Sequence, residues 1–374
     1  MKCIFHMPLP LDKNSKSASG IRPQKMLQAF KDIGYEVFEI TGYGKERKRS
    51  IQMVKEQIIN GENFDFLYSE SSTMPTLLTE KHHYPTHPFL DFSFFKFCKK
   101  HNIKIGLFYR DIYWKFDDLY KKSLPGWKYF FAIKAYQYDL VRYGQLLSKL
   151  YVPSAMIYPY IQNKNITPIL DTLPPGCDRR VFKSEKNILN QDYIKEPLKI
   201  FYVGGLGEEY KLLELFKAVS TIPTCDLTVC CRENEWEKNK AEYIEYIKCS
   251  NIHIIHKSGS ELDSYYNNSD ICSLIFKPDD YRNLAVPFKA FEYLSWEKPV
   301  LVSRNTLIGN FVSDNNTGWL VEYSAESIRK TILEIIDKPN ELLHKIECCK
   351  IAKENNLWIV RAEKVAHDLI KYNN

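Results

Sequence analysis

The sequence predicts an α/β protein built of two doubly wound parallel sheets, and three observations carry that prediction. Short strand-like apolar runs alternate with helical patterns along the chain, which implies parallel strands covered by helices on both faces. The 374 residues suffice for two domains of ordinary size, each with its own core. The stretch Asp279 to Ser303, DDYRNLAVPFKAFEYLSWEKPVLVS, reads as an irregular loop, a helix opening with Pro287 at its first position, and a buried strand from Pro299.

In the first half the predicted strands are Cys3 to His6, Glu36 to Ile40, Phe64 to Tyr68, Ile103 to Tyr109 and Leu150 to Val152. Each is a short apolar run between polar segments, and helical patterns such as Gln24 to Ile33 and Phe92 to Lys100 lie between them. A hinge is predicted near Pro168 to Glu185. The alternation then resumes with strands Lys199 to Val203, Leu227 to Cys231, Ile252 to Ile255, Ile271 to Leu274, Val300 to Ser303 and Trp319 to Val321. Helices are predicted over Leu212 to Val219, Trp236 to Ile247 and roughly Leu357 to Tyr372. In doubly wound sheets ligands bind at the carboxyl ends of strands, which is where the glycines and polar loop residues of this chain fall.

Within the loop, helix and strand of 279–303, Lys289 and Glu292 are three residues apart and share a helix face, while Ala290, Phe291 and Leu294 turn towards the sheet. A cation and a carboxylate then project near a helix N-terminus, where free N–H groups and the dipole favour an anion. Diphosphate beside ribose suits that arrangement. The alternative is an ordinary amphipathic surface helix carrying a salt bridge.

The run P-F-K-A-F-E-Y-L followed by K-P-V-L-V-S resembles the nucleotide-sugar site in the C-terminal domain of GT-B glycosyltransferases, especially the retaining group that includes family 4. IFYVGG (Ile200 to Gly205) with Lys211 resembles the strand and glycine turn that open the donor domain, and LPPGCD (Leu173 to Asp178) resembles the interdomain P-N-G-x-D segment. NTGWLV (Asn316 to Val321) resembles a late strand of that domain, and Gly20-Ile21-Arg22 sits where the family has a glycine turn after its first strand. The resemblance spans nearly the whole chain. It implies a GT-B fold, two Rossmann-like domains facing across a cleft: residues 1–172 bind acceptor, 186–350 bind nucleotide sugar, and a helix in 351–374 crosses back to the first domain. One position departs from the pattern. Many members carry a second glutamate eight residues before the ribose-binding one, and here Leu284 stands there.

Further candidates follow from position. Gly204 and Gly205 let backbone approach a diphosphate, with Lys211 in reach of the same charge, although glycines at a strand end are equally good turn formers. Arg232 follows the strand LTVCC, and His256-Lys257 ends the next one in the region where relatives hold the base. Tyr281 and Asn283 belong to the loop that presents N–H groups to phosphate. In the acceptor half, GLFYRDIYW (Gly106 to Trp114) ends a strand in Arg110-Asp111, where a carboxylate can orient or deprotonate an acceptor hydroxyl. A structural Arg–Asp pair is the competing reading. The segment KHHYPTHP gathers His82, His83 and His87, but His-His-x3-His lacks a fourth ligand. The fold family handles its leaving diphosphate with lysine, arginine and helix N–H groups, so no metal and no cofactor is expected.

Ten cysteines include the adjacent pairs Cys230-Cys231 and Cys348-Cys349 and no C-x-x-C spacing, which reads as free thiols of a reducing cytoplasm. MKCIFHMPLPLDK is too briefly apolar for a signal peptide, and no apolar run approaches the roughly 20 residues of a membrane span. Charge is uneven: from Lys96 to Lys149 there are twelve Lys or Arg against four Asp, with fourteen aromatics interleaved, so the local surplus exceeds the whole chain's +6. Lysines with aromatics suit an anionic membrane surface, on the inner face of the plasma membrane. No nucleic-acid motif accompanies the patch.

The function these features imply is transfer of a glycosyl group from a nucleotide diphosphate sugar to a glycan hydroxyl, with retention, on a lipid-linked precursor of bacterial surface polysaccharide such as capsule or lipopolysaccharide. Lys289, Lys211 and the helix N-terminus would stabilise the departing diphosphate. Two alternatives stay open. One is a nucleotide-sugar epimerase or phosphorylase of similar fold; the other, kept alive by Leu284, is a silent nucleotide-binding partner of another transferase.

Overall fold

The computed structural model describes residues 1–12, 15, 17–116, 121, 124–180, 197–207, 210–277 and 286–370. The chain divides into two compact units, residues 1–176 with 358–374 and residues 177–357.

The first unit is a six-stranded, wholly parallel sheet in the order β2-β1-β3-β4-β5-β6. Its strands are β1 (Lys2–His6), β2 (Glu36–Ile40), β3 (Phe66–Glu70), β4 (Lys104–Phe108), β5 (Lys149–Val152) and β6 (Leu170–Thr172). The main helices are α1 (Ala18–Asp32), α2 (Gly44–Ile59), α3 (Leu90–Lys100) and α4 (Gly126–Leu146), with one turn, α5 (Tyr158–Ile161), before β6. Every residue of β3 is buried, as a strand covered on both faces requires, whereas edge strand β2 is half-exposed.

The second unit repeats the plan with strands β7 (Leu198–Val203), β8 (Cys225–Cys230), β9 (Ile252–Ile255), β10 (Ile271–Leu274), β11 (Val300–Ser303) and β12 (Gly318–Val321). They lie parallel in the order β12-β11-β10-β7-β8-β9. Its helices are α6 (Leu213–Val219), α7 (Glu233–Asn239), α8 (Asp263–Asn268), α9 (Phe288–Ser295), α10 (Leu307–Asp314), α11 (Ala325–Asp337) and α12 (Pro339–Glu354). Apolar side chains of β7, β8, α6 and α11, among them Ile200, Leu227, Phe216 and Ile332, form its core.

Helix α13 (Trp358–Leu369) belongs to the first unit and packs on α1 and β4. Glycine makes room for it twice: a Cβ on Gly106 would lie 2.8 Å from Leu369 Cδ1, and one on Gly176 would lie 2.6 Å from the Trp358 ring. Polar ties complete the seat. Tyr151 donates to Asp368 (2.9 Å), and Lys364 donates to Asp171 (2.8 Å) and Asp368 (2.9 Å).

Several sequence expectations need correction. Part of the predicted hinge is strand β6, which adds an edge to the sheet beside β5. The third strand starts at Phe66 and runs on to Glu70, while Phe64 packs edge-on against Phe38 at 4.9 Å. The helix expected over 236–247 stops at Asn239 and passes into a 3₁₀ turn. Burying Tyr243 accounts for the break, since its ring lies 4.6 Å from Phe216 and its hydroxyl accepts from Leu212 N. Pro287 is the residue before α9 and not its first helical position, and Gly20 lies in the first turn of α1 and not in a loop.

Candidate functional site

In each sheet the chain starts near the middle, moves to one side, then returns to the other side of its first strand. That reversal leaves a crevice at the strands' carboxyl ends, between β1 and β3 in the first unit and between β7 and β10 in the second.

At the second crevice the glycine turn follows β7. Gly204 N donates to Cys230 O, and Tyr202 donates to Gly205 O at 2.7 Å. Packing explains both glycines: a Cβ on Gly204 would meet the Tyr202 hydroxyl at 2.6 Å, and one on Gly205 would meet Tyr210 at 2.9 Å. Helix α7 holds the turn from outside, with Glu235 accepting from Leu206 N (3.1 Å) and Asn239 donating to Leu206 O (3.2 Å).

Helix α9 sits over the same strand ends because Tyr293, fully buried, accepts from Val203 N at 3.1 Å. Ser295 adds a second anchor by accepting from Asp178 N (2.9 Å). On the helix's outer face Lys289 donates to Glu292 Oε2 at 2.6 Å, and Tyr266 of α8 donates to Oε1 at 2.8 Å. Burial and the nearby Glu292 carboxylate push the Tyr266 phenol well above its ordinary value, so it remains a donor. Lys289 also lies near the end of β8. Burial raises the Cys230 thiol, and the Lys257 backbone and the Lys289 ammonium pull it partly back. The predicted cation and carboxylate thus stand together, paired with one another, with one third of the Lys289 side chain and one fifth of Glu292 open.

The other predicted groups of this unit are dispersed. Lys211 Nζ lies 3.4 Å from Glu242, Arg232 pairs with Glu235 (2.7 Å) with its side chain largely exposed, and Lys257 pairs with Glu261 (3.0 Å). His256 bonds Cys231 O (2.9 Å). Tyr281, Asn283 and Leu284 lie outside the described residues. The stem of their loop is fixed by Ser303, which accepts from Phe276 N (3.0 Å) and donates to Phe276 O (2.7 Å).

At the first crevice a pocket of about 170 Å³ is lined by the loop after β1, the first turn of α1 with Gly20, Ser71 to Thr73, and Arg110. The nearby Asp111 charge supports the Arg110 guanidinium, whose hydrogen bonds go to other groups. It donates to Ser19 O (2.7 Å), Ser71 O (3.2 Å) and Glu70 Oε2 (3.3 Å). Glu70 is fully buried and also takes Arg22 Nε (3.1 Å) and the Tyr68 hydroxyl (2.7 Å) on Oε1. Asp111 instead accepts from Tyr113 N at 2.8 Å, which closes the turn before Trp114.

Sequence reasoning passed over Glu70, although a carboxylate ending the apolar run FLYSE was its signal, and it passed over Tyr266, which carried none. A further buried line resembles a hydrolase triad without acting as one. His6 bonds Ser69 (2.8 Å) through Nδ1 and Asp91 (3.0 Å) through Nε2, and Arg47 donates to both Asp91 oxygens. Burial opposes ionisation of Asp91, but His6 and Arg47 outweigh it and hold the carboxyl below its ordinary value. No member of the line is more than about 2% exposed, so it ties β1 and β3 to α2 and α3. His82, His83 and His87 bond Tyr84 N, Leu78 O and Glu80 respectively. Among the described residues no group of three or more His, Cys, Asp or Glu is placed to hold a metal ion.

Comparisons with known proteins now bear on this geometry. Residues 184–349 match the model of the family described as Glycosyl transferases group 1. No match is found among curated proteins. Solved structures resemble the chain over its full length. A glycosyltransferase from Rickettsia africae is 14% identical at a TM-score of 0.65, with 99% of each chain covered. Anabaena Alr3699/HepE in complex with UDP-glucose is 11% identical at 0.64, covering 98% of this chain and 99% of that one. WaaG, a glycosyltransferase involved in lipopolysaccharide biosynthesis, is 12% identical at 0.57, with 99% of each chain covered. The fold is therefore GT-B, as the sequence resemblance implied, and residues 184–349 are similar to the Glycosyl transferases group 1 family.

Proposed function

We propose that this glycosyltransferase moves a sugar, with retention, from a nucleotide diphosphate sugar held by the second unit to a hydroxyl of a lipid-linked glycan acceptor. The observation that carries the reading is the position of Glu292, a part-exposed carboxylate gripped by Tyr266 and Lys289 at the crevice between β7 and β10. Ribose hydroxyls would take the place of the lysine on Glu292, and Lys289 would turn to the diphosphate beside the N-terminus of α9 and the glycine turn. Exchanging a part-exposed ion pair for a charge-assisted contact costs little, since such pairs contribute about 0–1 kcal/mol. HepE and MnaA of S. aureus were solved with UDP, which supports a uridine diphosphate sugar as the first donor to test.

Phosphate charge is assigned to Lys289 and N–H groups, so turnover should survive chelation; activity that needs added Mg²⁺ or Mn²⁺ would contradict this. The decisive measurement is the melting temperature with a panel of nucleotides and nucleotide sugars, because a ligand bound only by the folded state stabilises it. A rise with one diphosphate sugar that is lost in Glu292→Ala supports the reading. No rise with any of them would turn the case towards a silent partner.

The same reading places the enzyme on an anionic membrane, supported by α4. Trp127, Phe130 and Phe131 stand on the outer face of its first turns, all exposed, with Lys128 and Lys134 beside them. Trp127→Ala with Phe130→Ser should abolish sedimentation with phosphatidylglycerol vesicles while leaving nucleotide binding intact. Equal sedimentation of the double variant would remove the membrane from the reading.

A further inference from the structure

We infer that Tyr266 is a positioning residue for the donor: by holding Glu292 Oε1 it turns Oε2 towards the ribose hydroxyls. The inference rests on the donor reading above and adds how the second unit tells a ribose from a sugar that lacks those hydroxyls. The two groups on Glu292 differ in what water can do for them. Tyr266 is 1% exposed and donates to Oε1 at 2.8 Å, whereas Lys289, on Oε2 at 2.6 Å, has one third of its side chain open. Water can replace the carboxylate on the ammonium, but a buried phenol that lets go loses a hydrogen bond and gains none. The lysine is therefore the partner that leaves, and the tyrosine the one that stays.

The ring that carries this hydroxyl is held on several sides. Trp296, the residue after α9, stacks on Tyr266 at 5.1 Å between centroids and 15° between planes. Phe201 of β7 meets the ring edge-on at 5.1 Å, and Tyr293 of α9 lies at 6.0 Å. The Arg180 guanidinium lies over the Trp296 ring at 4.0 Å, and its Nη1 is 3.5 Å from Asp263, so the stack closes back onto the helix that carries Tyr266. Ser269 fixes the backbone end by donating to Tyr266 O at 3.0 Å. Glu292 is by contrast a long, rotatable side chain about one fifth open to water. Ordering such a side chain at the moment of binding costs affinity, and a rigid donor on one oxygen removes most of that cost before the ligand arrives.

The test is calorimetric titration of the full chain and of Tyr266→Phe with UDP and with 2′,3′-dideoxyuridine 5′-diphosphate, which keeps base and diphosphate and lacks both ribose hydroxyls. Phenylalanine keeps the ring and its stacking and removes the hydroxyl. The parent should prefer UDP by about ten-fold or more, as charge-assisted contacts to a carboxylate require. Tyr266→Phe should weaken UDP by about five-fold and leave the dideoxy nucleotide within about two-fold, which cuts the preference to about two-fold. In a Glu292→Ala background the same substitution should change neither affinity by more than about two-fold, because the hydroxyl acts through the carboxylate. Indifference of the parent to the ribose hydroxyls, equal weakening of both nucleotides, a preference unchanged by Tyr266→Phe, or the same loss without Glu292 would each overturn the positioning role. A parent chain that binds neither UDP nor ADP nor GDP would instead take the donor reading down, and the role of Tyr266 with it; where ADP or GDP binds in place of UDP, its own dideoxy form serves in the same comparison.

Discussion

In the first unit's crevice Glu70 is wholly buried and shared by two guanidinium groups, whereas in the second Glu292 is part-exposed and shared by one ammonium and one phenol. Both carboxylates stand at the carboxyl end of a parallel sheet with one winding plan. The difference lies in solvent and in balance. Glu70 lies in a dry wall with Arg22 and Arg110, so its cluster is held by the fold. Around Glu292 charge is already neutral, and the pair can open because water reaches it. Similar topology therefore fixes where ligands bind, while burial decides whether a charged group is part of the framework or free to exchange partners.

The most severe way to break that contrast is to remove each carboxylate in turn. Glu70→Ala leaves Arg22 and Arg110 buried without compensation, and the loss should be about 3–5 kcal/mol of stability by urea unfolding. Glu292→Ala in the same assay should cost under about 1 kcal/mol, while nucleotide affinity or turnover falls by about ten-fold or more, as it should for Lys289→Ala. Equal stability losses at the two sites would show that the contrast in burial is not what separates them.

A second comparison is internal to the first unit. Asp91 is buried but fully partnered; Asp139 of α4 is buried with Oδ2 accepting from Thr76 N at 2.7 Å and Oδ1 without a partner. Burial pushes the Asp139 carboxyl up to about 7, with the Asp91 charge adding to the rise and the Thr76 bond opposing it. Between about pH 4 and 7 the folded state then holds a proton that the unfolded state has released, so this group lowers stability as pH rises through that window. Asp139→Asn keeps the Thr76 bond and removes the charge. It should raise stability by a few kcal/mol at most at pH 8, with no gain at pH 4. A gain independent of pH would place the effect in packing and not in titration.

The fold was legible because its signals are local and repeated. Runs such as IFYV and LTVC are largely apolar, and they lie where parallel strands lie. Strand β6, LDT, was missed because a three-residue edge strand with an aspartate has no apolar period to read. At the site, K-A-F-E placed Lys289 and Glu292 on one face from spacing alone, and the structure pairs them. Tyr266 was illegible, since it reaches Glu292 from a helix 26 residues away in sequence. Arg110 shows the same limit from the other side. Adjacency suggested Asp111 as its partner, but neighbours on an extended chain point to opposite sides, and the guanidinium turns to Glu70, 40 residues away.

The smallest change to the fold is expected at Asp111, at the end of a first-unit strand. Its Oδ1 accepts from Tyr113 N, a bond that asparagine reproduces. Asp111→Asn should therefore leave unfolding free energy within about 0.5 kcal/mol of the parent. The negative charge beside the first unit's strand end is what the change deletes. If that charge orients or deprotonates the acceptor hydroxyl, transfer falls steeply while nucleotide affinity, a property of the second unit, stays as it was. Melting temperature, nucleotide affinity and transfer rate measured on one preparation separate the roles. A preserved rate would confine Asp111 to closing the turn, whereas a lost rate with preserved stability and donor affinity would assign it to the acceptor side of the reaction.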